Sequence, residues 1–348
     1  MKRSVIAQKL YFNWWRNIDK ILFFTILIFF SLGLFFSLVS TSLVASDKLN
    51  TNSYLFFFKH TIFISFGLIT IFIISYLDLE KLLLLSKILF IISLITLLMV
   101  PFFGVEVKGS RRWINFFFLP RFQPIELLKP FIIVMIASIL CYENKNIYFK
   151  YFLSFLLIFP ILALLISQPD IGQTVLIFFT WLALIFVSGI NLYLFFFLTS
   201  FIISIILYLI FFVPKFEYIL IRIFAFFDPK SGNNYQSERA SEAIINGGFF
   251  GKGIGEGVLK NKVPEAHTDY IVSVISEEFG AVMIFLILFL FLFFLYRIFK
   301  KIYLINNSKK KLIIIGLGFI ILLQFLIHVG VNIRMFPTTG MTLPFLSY

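Results

Sequence analysis

The chain of 348 residues is 60% hydrophobic and 20% aromatic, with only 14% charged residues and a mean hydropathy of +1.01. A soluble domain runs nearer about 45–50% apolar and about 25% charged, so an ordinary soluble enzyme is excluded and a polytopic membrane protein is indicated. The excess of 30 Lys and Arg over 17 Asp and Glu, a net charge of +13, is therefore read for its sidedness across a membrane rather than as a nucleic-acid surface.

In chain order, residues 1–20 form a basic N-terminal segment with Asp19 as its one acid. The uncharged run Ile21 to Val44 is too long for a cleaved signal peptide and predicts a retained first span. Further spans are expected at Thr61 to Leu77, Leu82 to Phe103, Ile125 to Tyr142 and Ile147 to Ser167. The charge-free stretch from Ile171 to Val213 is long enough for two helices hinged at Ser188-Gly189-Ile190-Asn191, which completes seven spans over 21–213. A hydrophilic loop occupies 214–270, and 271–348 holds two more spans, Ala281 to Tyr296 and Leu312 to Ile333, with the start of a C-terminal part. Runs such as Phe285 to Leu295 are apolar on every side, so the fold is all-α, a polytopic bundle of nine visible spans, and not a β-barrel. The single cysteine, Cys141, excludes a disulfide framework and a cysteine-based metal site.

The connection from Arg297 to Lys311 carries six basic residues and no acid, which places it and the N-terminus in the cytoplasm. Span parity then puts 45–60, 104–123, 168–170 and 214–270 on the outer face. The long loop has seven basic and seven acidic residues, so it offers no nucleic-acid patch. Within it, apolar residues recur from Phe216 to Phe227 as on a helix lying at a membrane surface, up to Asp228-Pro229. A second helix is expected over Gln236 to Asn246. The following "GGFFGKGIGEG" lacks the strand and the lysine-hydroxyl pair of a nucleotide loop, and reads as flexible backbone near a ligand or as a lid.

Some polar residues are out of place for a simple bundle. The short outer loop bears Arg111 and Arg112 beside Trp113, against the positive-inside bias; guanidinium forks beside an indole suit an anionic group at the membrane surface, and equally a lipid-headgroup anchor. Glu126 and Lys129 lie three apart at the start of the fourth span, hence on one helical face, as a pair or as the lining of a wet cavity. Before the eighth span stand Glu265, His267, Asp269, Glu277 and Glu278. The helix dipole accounts for Glu277 and Glu278, whereas Asp269 is placed to act as a general base. His267 with a carboxylate could hold a divalent cation such as Mg2+ or Mn2+, although one histidine makes a poor ligand set.

Taken together, "KGSRRWI", "QPIELLKP", "QPDIGQT", "DP" with "YQ", "GGFFGKGIGEG", "PEAHTDYI", "EEFG" and "PTTGMTLPFLSY" resemble, in order, the motifs of the SEDS family (shape, elongation, division and sporulation), the polytopic peptidoglycan polymerases. "WWRNID", "NYQSERASEAIINGG" and "GEGVLK" look most like its cell-division branch. The resemblance implies a glycosyltransferase in the bacterial cytoplasmic membrane, at the division septum. It would polymerise lipid II and release undecaprenyl pyrophosphate, with a class B penicillin-binding transpeptidase and other divisome proteins as partners. It further implies Asp269 as catalytic base, with Arg112, Trp113 and Lys129 at the substrate; from their own positions Arg111, Glu126, His267 and Glu265 are candidates around the same substrate. Family members continue past "SY" into a tenth span, so this sequence is expected to belong to a longer chain. The rival readings are a lipid II transporter and a division-site scaffold without chemistry.

Overall fold

The computed structural model describes residues 14–16, 18–41, 54–107, 110–115, 120–143, 145–227, 235–263, 265–266 and 268–347. Asp19 begins the first helix, α1 (Lys20–Phe36), accepting a hydrogen bond from the Leu22 N–H at 3.2 Å. A π-helical turn, Ser37–Thr41, follows it. Next come α2 (Leu55–Ser75), α3 (Leu79–Phe103) and a hairpin of β1 (Val105–Val107) and β2 (Ser110–Trp113). Then follow α4 (Pro124–Leu140), α5 (Ile147–Ser167), α6 (Ile171–Val187) and α7 (Leu192–Phe212). The hydrophilic loop supplies α8 (Glu217–Phe227) and α9 (Tyr235–Gly247), and the chain continues with α10 (Ile271–Ile302) and α11 (Ser308–Asn332). The break at 188–191 and both loop helices fall where the sequence puts them. Residues 42–44, His267 and the Asp228-Pro229 stop lie outside the described residues.

Seven of the described helices are long and apolar enough to cross a membrane, so this is a multi-pass membrane protein. Helices α4 and α6 are shorter, at 17 residues each. The departures from an all-helical fold among the described residues are the two-stranded hairpin and an isolated bridge between Ile114 and Phe122, in a stretch expected only as a loop.

The main core gathers α3, α4, α5, α6 and α11 around Leu97, Leu128, Ile158, Trp181 and Ile320. Gly316 lets α11 approach closely, since a Cβ there would meet Ile133 and Leu184. A second core joins α1, α10 and α11 through Phe29, Phe291 and Phe325, and takes in Leu343 and Leu346. At one end Asp19 pairs with Arg297 at 3.2 Å and Lys301 at 2.6 Å, tying the start of α1 to the end of α10. Helix α7 lies at the periphery, with no buried residue among those described.

The eighth span was expected to begin at Ala281, and α10 bends there: Gly280 has φ 77° and ψ −179° inside an otherwise continuous helix. The segment before the bend, Ile271 to Phe279, packs on α9. The bend corrects two expectations. Glu277 and Glu278 are not at a helix start; they lie fully buried just before the bend. Glu277 accepts from Asn246 Nδ2 at 3.1 Å and the Leu259 N–H at 2.8 Å, and Glu278 from the Gly255 N–H at 3.3 Å. The glycine-rich segment is likewise no free lid, because its backbone is bonded to Glu277, Glu278, Ala281 and Val282. A Cβ on Gly247, Gly251 or Gly280 would overlap backbone atoms across this junction. Gly280→Ala adds such an overlap to an unfavourable φ, so it should cost about 3 kcal/mol or more in thermal unfolding. Gly255→Ala, also at positive φ (85°) but with nothing near the new Cβ, should cost only about 1–2 kcal/mol.

Candidate active site

In the hairpin, Glu106 faces Arg111 and Val107 faces Ser110. Strand alternation sends Arg111 and Trp113 outward and Arg112 inward. The Arg112 guanidinium is committed to the turn between α5 and α6. Its Nε donates to the Gln168 carbonyl at 3.2 Å, a second N–H donates to the Pro169 carbonyl, and Nη1 stands 3.8 Å from Asp170 Oδ1. Asp170 is buried and begins α6, accepting from the Gln173 N–H at 3.3 Å and from Gln123 Nε2 at 2.6 Å. Burial pushes its carboxyl above the usual carboxylate range, and the Arg112 charge opposes that shift. Arg111 keeps a side chain 54% exposed, 3.5 Å from Glu106, on an open cleft of about 310 Å³ lined also by Ser110, Ser167 and Gln168.

Pro124 starts α4 at a position where its missing N–H costs nothing, which sets Glu126 and Lys129 in the first turns. Lys129 Nζ lies 2.6 Å from Glu126 and donates to Gln324 Oε1 at 3.0 Å, while Glu126 accepts from Gln173 Nε2 at 2.6 Å. Gln324 belongs to a polar stripe on α11 with His328 and Asn332, one turn apart each. Gln324 Nε2 donates to the Thr342 carbonyl at 3.0 Å, and His328 Nδ1 donates to the Met341 carbonyl at 2.7 Å. Asn332 Nδ2 donates to the Asp269 carbonyl at 3.0 Å, and its Oδ1 accepts from Ser273 Oγ at 2.8 Å. The helix thus holds Lys129, the Asp269 backbone and the C-terminal segment in one frame.

That segment closes the site. Thr339 packs on Gly172 near the start of α6, and a Cβ on the neighbouring Gly340 would stand 3.5 Å from Asp269 Oδ2. Ser347 Oγ donates to the Thr268 carbonyl at 2.9 Å. Asp269 is half-buried, in a turn where the Glu265 carbonyl, at a residue with φ 52°, accepts from the N–H groups of Thr268 at 3.1 Å and Tyr270 at 3.3 Å. Burial, and then the Asp269 charge, push the Tyr270 phenol up, so it stays neutral beside the carboxylate. Among the described residues no three His, Cys, Asp or Glu side chains converge as a metal site would need. A larger cavity, about 640 Å³, opens at the opposite end by Cys141, Ser188 and Lys309 and lies away from this cluster.

The structure therefore brings Arg111, Arg112, Trp113, Glu126, Lys129, Glu265 and Asp269 to one end of the bundle. It distinguishes them by access: Lys129 is buried and Arg112 largely enclosed, whereas Trp113 is exposed. Sequence reasoning missed Gln123, Asp170, Gln173, Gln324 and Asn332. The available signal was the four-residue spacing of Gln324, His328 and Asn332 in an apolar helix.

The family model of the FtsW/RodA/SpoVE cell cycle proteins matches residues 19–348. Relatives described as probable peptidoglycan glycosyltransferase FtsW include one from Caulobacter vibrioides, 33% identical over 74% of this chain and 65% of its own length. One from Buchnera aphidicola is 34% identical over 89% of this chain and 79% of its own. Thermus thermophilus RodA superposes with a TM-score of 0.65 at 25% identity, over 96% of this chain and 91% of that one. A structure described as "structural coordination of polymerization and crosslinking by a peptidoglycan synthase complex" shares the fold with a TM-score of 0.75 at 24% identity, over 95% and 92%. With its motifs in order, its bundle matched and residues 19–348 covered by one family model, the chain belongs to the SEDS family of FtsW, RodA and SpoVE.

Proposed function

We propose that this protein is a peptidoglycan glycosyltransferase that polymerises lipid II at the outer face of the bacterial cytoplasmic membrane during cell division. The observation that carries the reading is the meeting of two clusters across Thr339 and Gly340: the Arg112–Asp170 turn on one side and Asp269 on the other. An accessible carboxylate beside a rigid, cation-bearing wall is what glycosyl transfer from a lipid pyrophosphate requires. Asp269 takes the proton from the GlcNAc 4-hydroxyl of lipid II as that oxygen attacks the anomeric carbon of the growing strand. The bond from that carbon to undecaprenyl pyrophosphate breaks, and cationic groups stabilise the charge that develops on the leaving phosphate. We assign phosphate contact to exposed Arg111 with Trp113 at the headgroup level, and a positioning role to the enclosed Arg112 and Lys129 and to Glu126, the more exposed partner of Lys129. Glu265, in the same turn as Asp269, is assigned to the acceptor side of the site.

In this reading α4 and α6 also cross the membrane, since 17 residues reach about 25 Å and the hydrocarbon core accepts spans from about that length. A class B transpeptidase is the expected partner; the synthase complex that shares this fold couples polymerisation to crosslinking. The test is polymerisation of purified lipid II by the purified chain, alone and with a class B transpeptidase, in the absence of other polymerases. Glycan strands are expected, whereas lipid II movement without strands would indicate a transporter. Sidedness has its own measurement. In a Cys141→Ser background, Glu242→Cys should react with an impermeant maleimide from outside and Lys310→Cys only from inside; both reacting from the cytoplasm would end this reading.

A further inference from the structure

The glycine-rich segment carries a feature that neither the fold nor the candidate site uses. Phe249, Phe250, Ile254 and Val258 are 70, 85, 61 and 65% exposed, although the backbone that bears them is fixed. Water-facing surfaces rarely leave such a run uncovered. The level of the run along α10 is defined by hydrogen bonds. Ala281 N–H donates to the Gly248 carbonyl at 2.9 Å and Val282 N–H to the Phe249 carbonyl at 3.2 Å, while Glu277 and Glu278 carbonyls accept from the N–H groups of Lys252 and Gly253 at 2.9 and 3.1 Å. Phe249 is therefore level with the first turn after the Gly280 bend. From that turn onward α10 exposes Val282, Phe285 and Phe289, the flank of a membrane span. The exposed run begins at the backbone bond between Phe249 and Val282, where that flank begins. In sequence the stretch is basic as well, with three lysines against Glu256 alone over 248–262, which complements phosphate headgroups.

We propose that residues 248–258 form an interfacial membrane anchor, in which Phe249 and Phe250 insert among the lipids where α10 enters the bilayer. The anchor fixes the depth of α9 and of the Asp269 turn relative to the membrane surface. It depends on α10 being a span and not on glycosyl transfer, so its failure leaves the proposed activity standing. The occupant is the phospholipid monolayer, not a protein.

The test places the full chain, in a Cys141→Ser background, in nanodiscs of phosphatidylethanolamine and phosphatidylglycerol without any partner. An environment-sensitive fluorophore is attached at Phe250→Cys, with exposed Glu242→Cys on α9 as the aqueous reference. Lipid spin-labelled near the carbonyl should quench the probe at 250 about threefold or more over that at 242, with iodide quenching reduced, as for groups seated about 5–10 Å into the interface. Equal quenching at the two positions, with equal access to iodide, overturns the proposal, and is what a surface awaiting a protein partner would give. Ile254→Cys repeats the measurement should the probe at 250 disturb folding.

Discussion

Asp269→Asn should lower lipid II polymerisation by roughly 10²–10⁴, the usual worth of a general base. The fold should survive, because Asn332 holds residue 269 by its backbone carbonyl, and because Asn matches the shape of Asp beside Gly340. Binding of lipid II should therefore persist while strand formation fails, a split that gel analysis of products and a binding titration would reveal together. Asp269→Glu should regain a fraction of the rate if an added methylene still reaches the hydroxyl. Turnover of the Asn and Ala variants within a few-fold of the parent would remove Asp269 from the chemistry and turn attention to Glu265.

The second large effect is an asymmetry. Lys129 has a side chain 7% exposed and Glu126 one 40% exposed, so the two ends of this ion pair are not equivalent. Glu126→Ala leaves a buried ammonium with Gln324 as its remaining partner among the described residues and should cost about 3–5 kcal/mol in thermal unfolding in detergent. Lys129→Met leaves a carboxylate that still has solvent and Gln173, and should cost about 1–2 kcal/mol, nearer an ordinary substitution. A Glu126→Gln/Lys129→Met double variant should recover much of the loss, since no unpaired charge remains. The reverse order of the single variants would mean that Glu126, and not Lys129, is the desolvated member.

Hydropathy made the spans legible because burial in lipid averages over about 20 residues and leaves its mark on any window of that length. The hinge at 188–191 and the start of an apolar run at Ala281 were legible for the same reason, as lapses in hydropathy, but the helical segment before that start, and so the bend, was not. Sidedness from charge grouped Trp113 with Asp269, and the structure sets them at one end. Roles within the cluster were not legible. Whether Arg112 faces solvent or a neighbouring turn depends on the register of a hairpin only a few residues long, where a shift by one position exchanges Arg111 for Arg112. Beyond the local Glu126–Lys129 pair, the partners that hold Lys129 and the Asp269 backbone come from α11, 195 and 63 residues away, and no local pattern names a partner at that separation. The glycine-rich segment misled because local composition signals freedom, whereas its backbone is bound by buried Glu277 and Glu278, whose charges had a simpler local explanation.

The C-terminal segment imposes an order in time. Thr268 is bonded to Ser347, 79 residues later, and Asp269 rests against Gly340 and Asn332, which also emerge after it. At about 5–20 residues per second, translation leaves the Asp269 turn without these contacts for several seconds after it is made. Through that interval a nascent chain already threaded into the membrane has the Asp269 side chain but not the contacts that hold its turn in place, so on the proposed function the site is completed only once the C-terminal segment has been made.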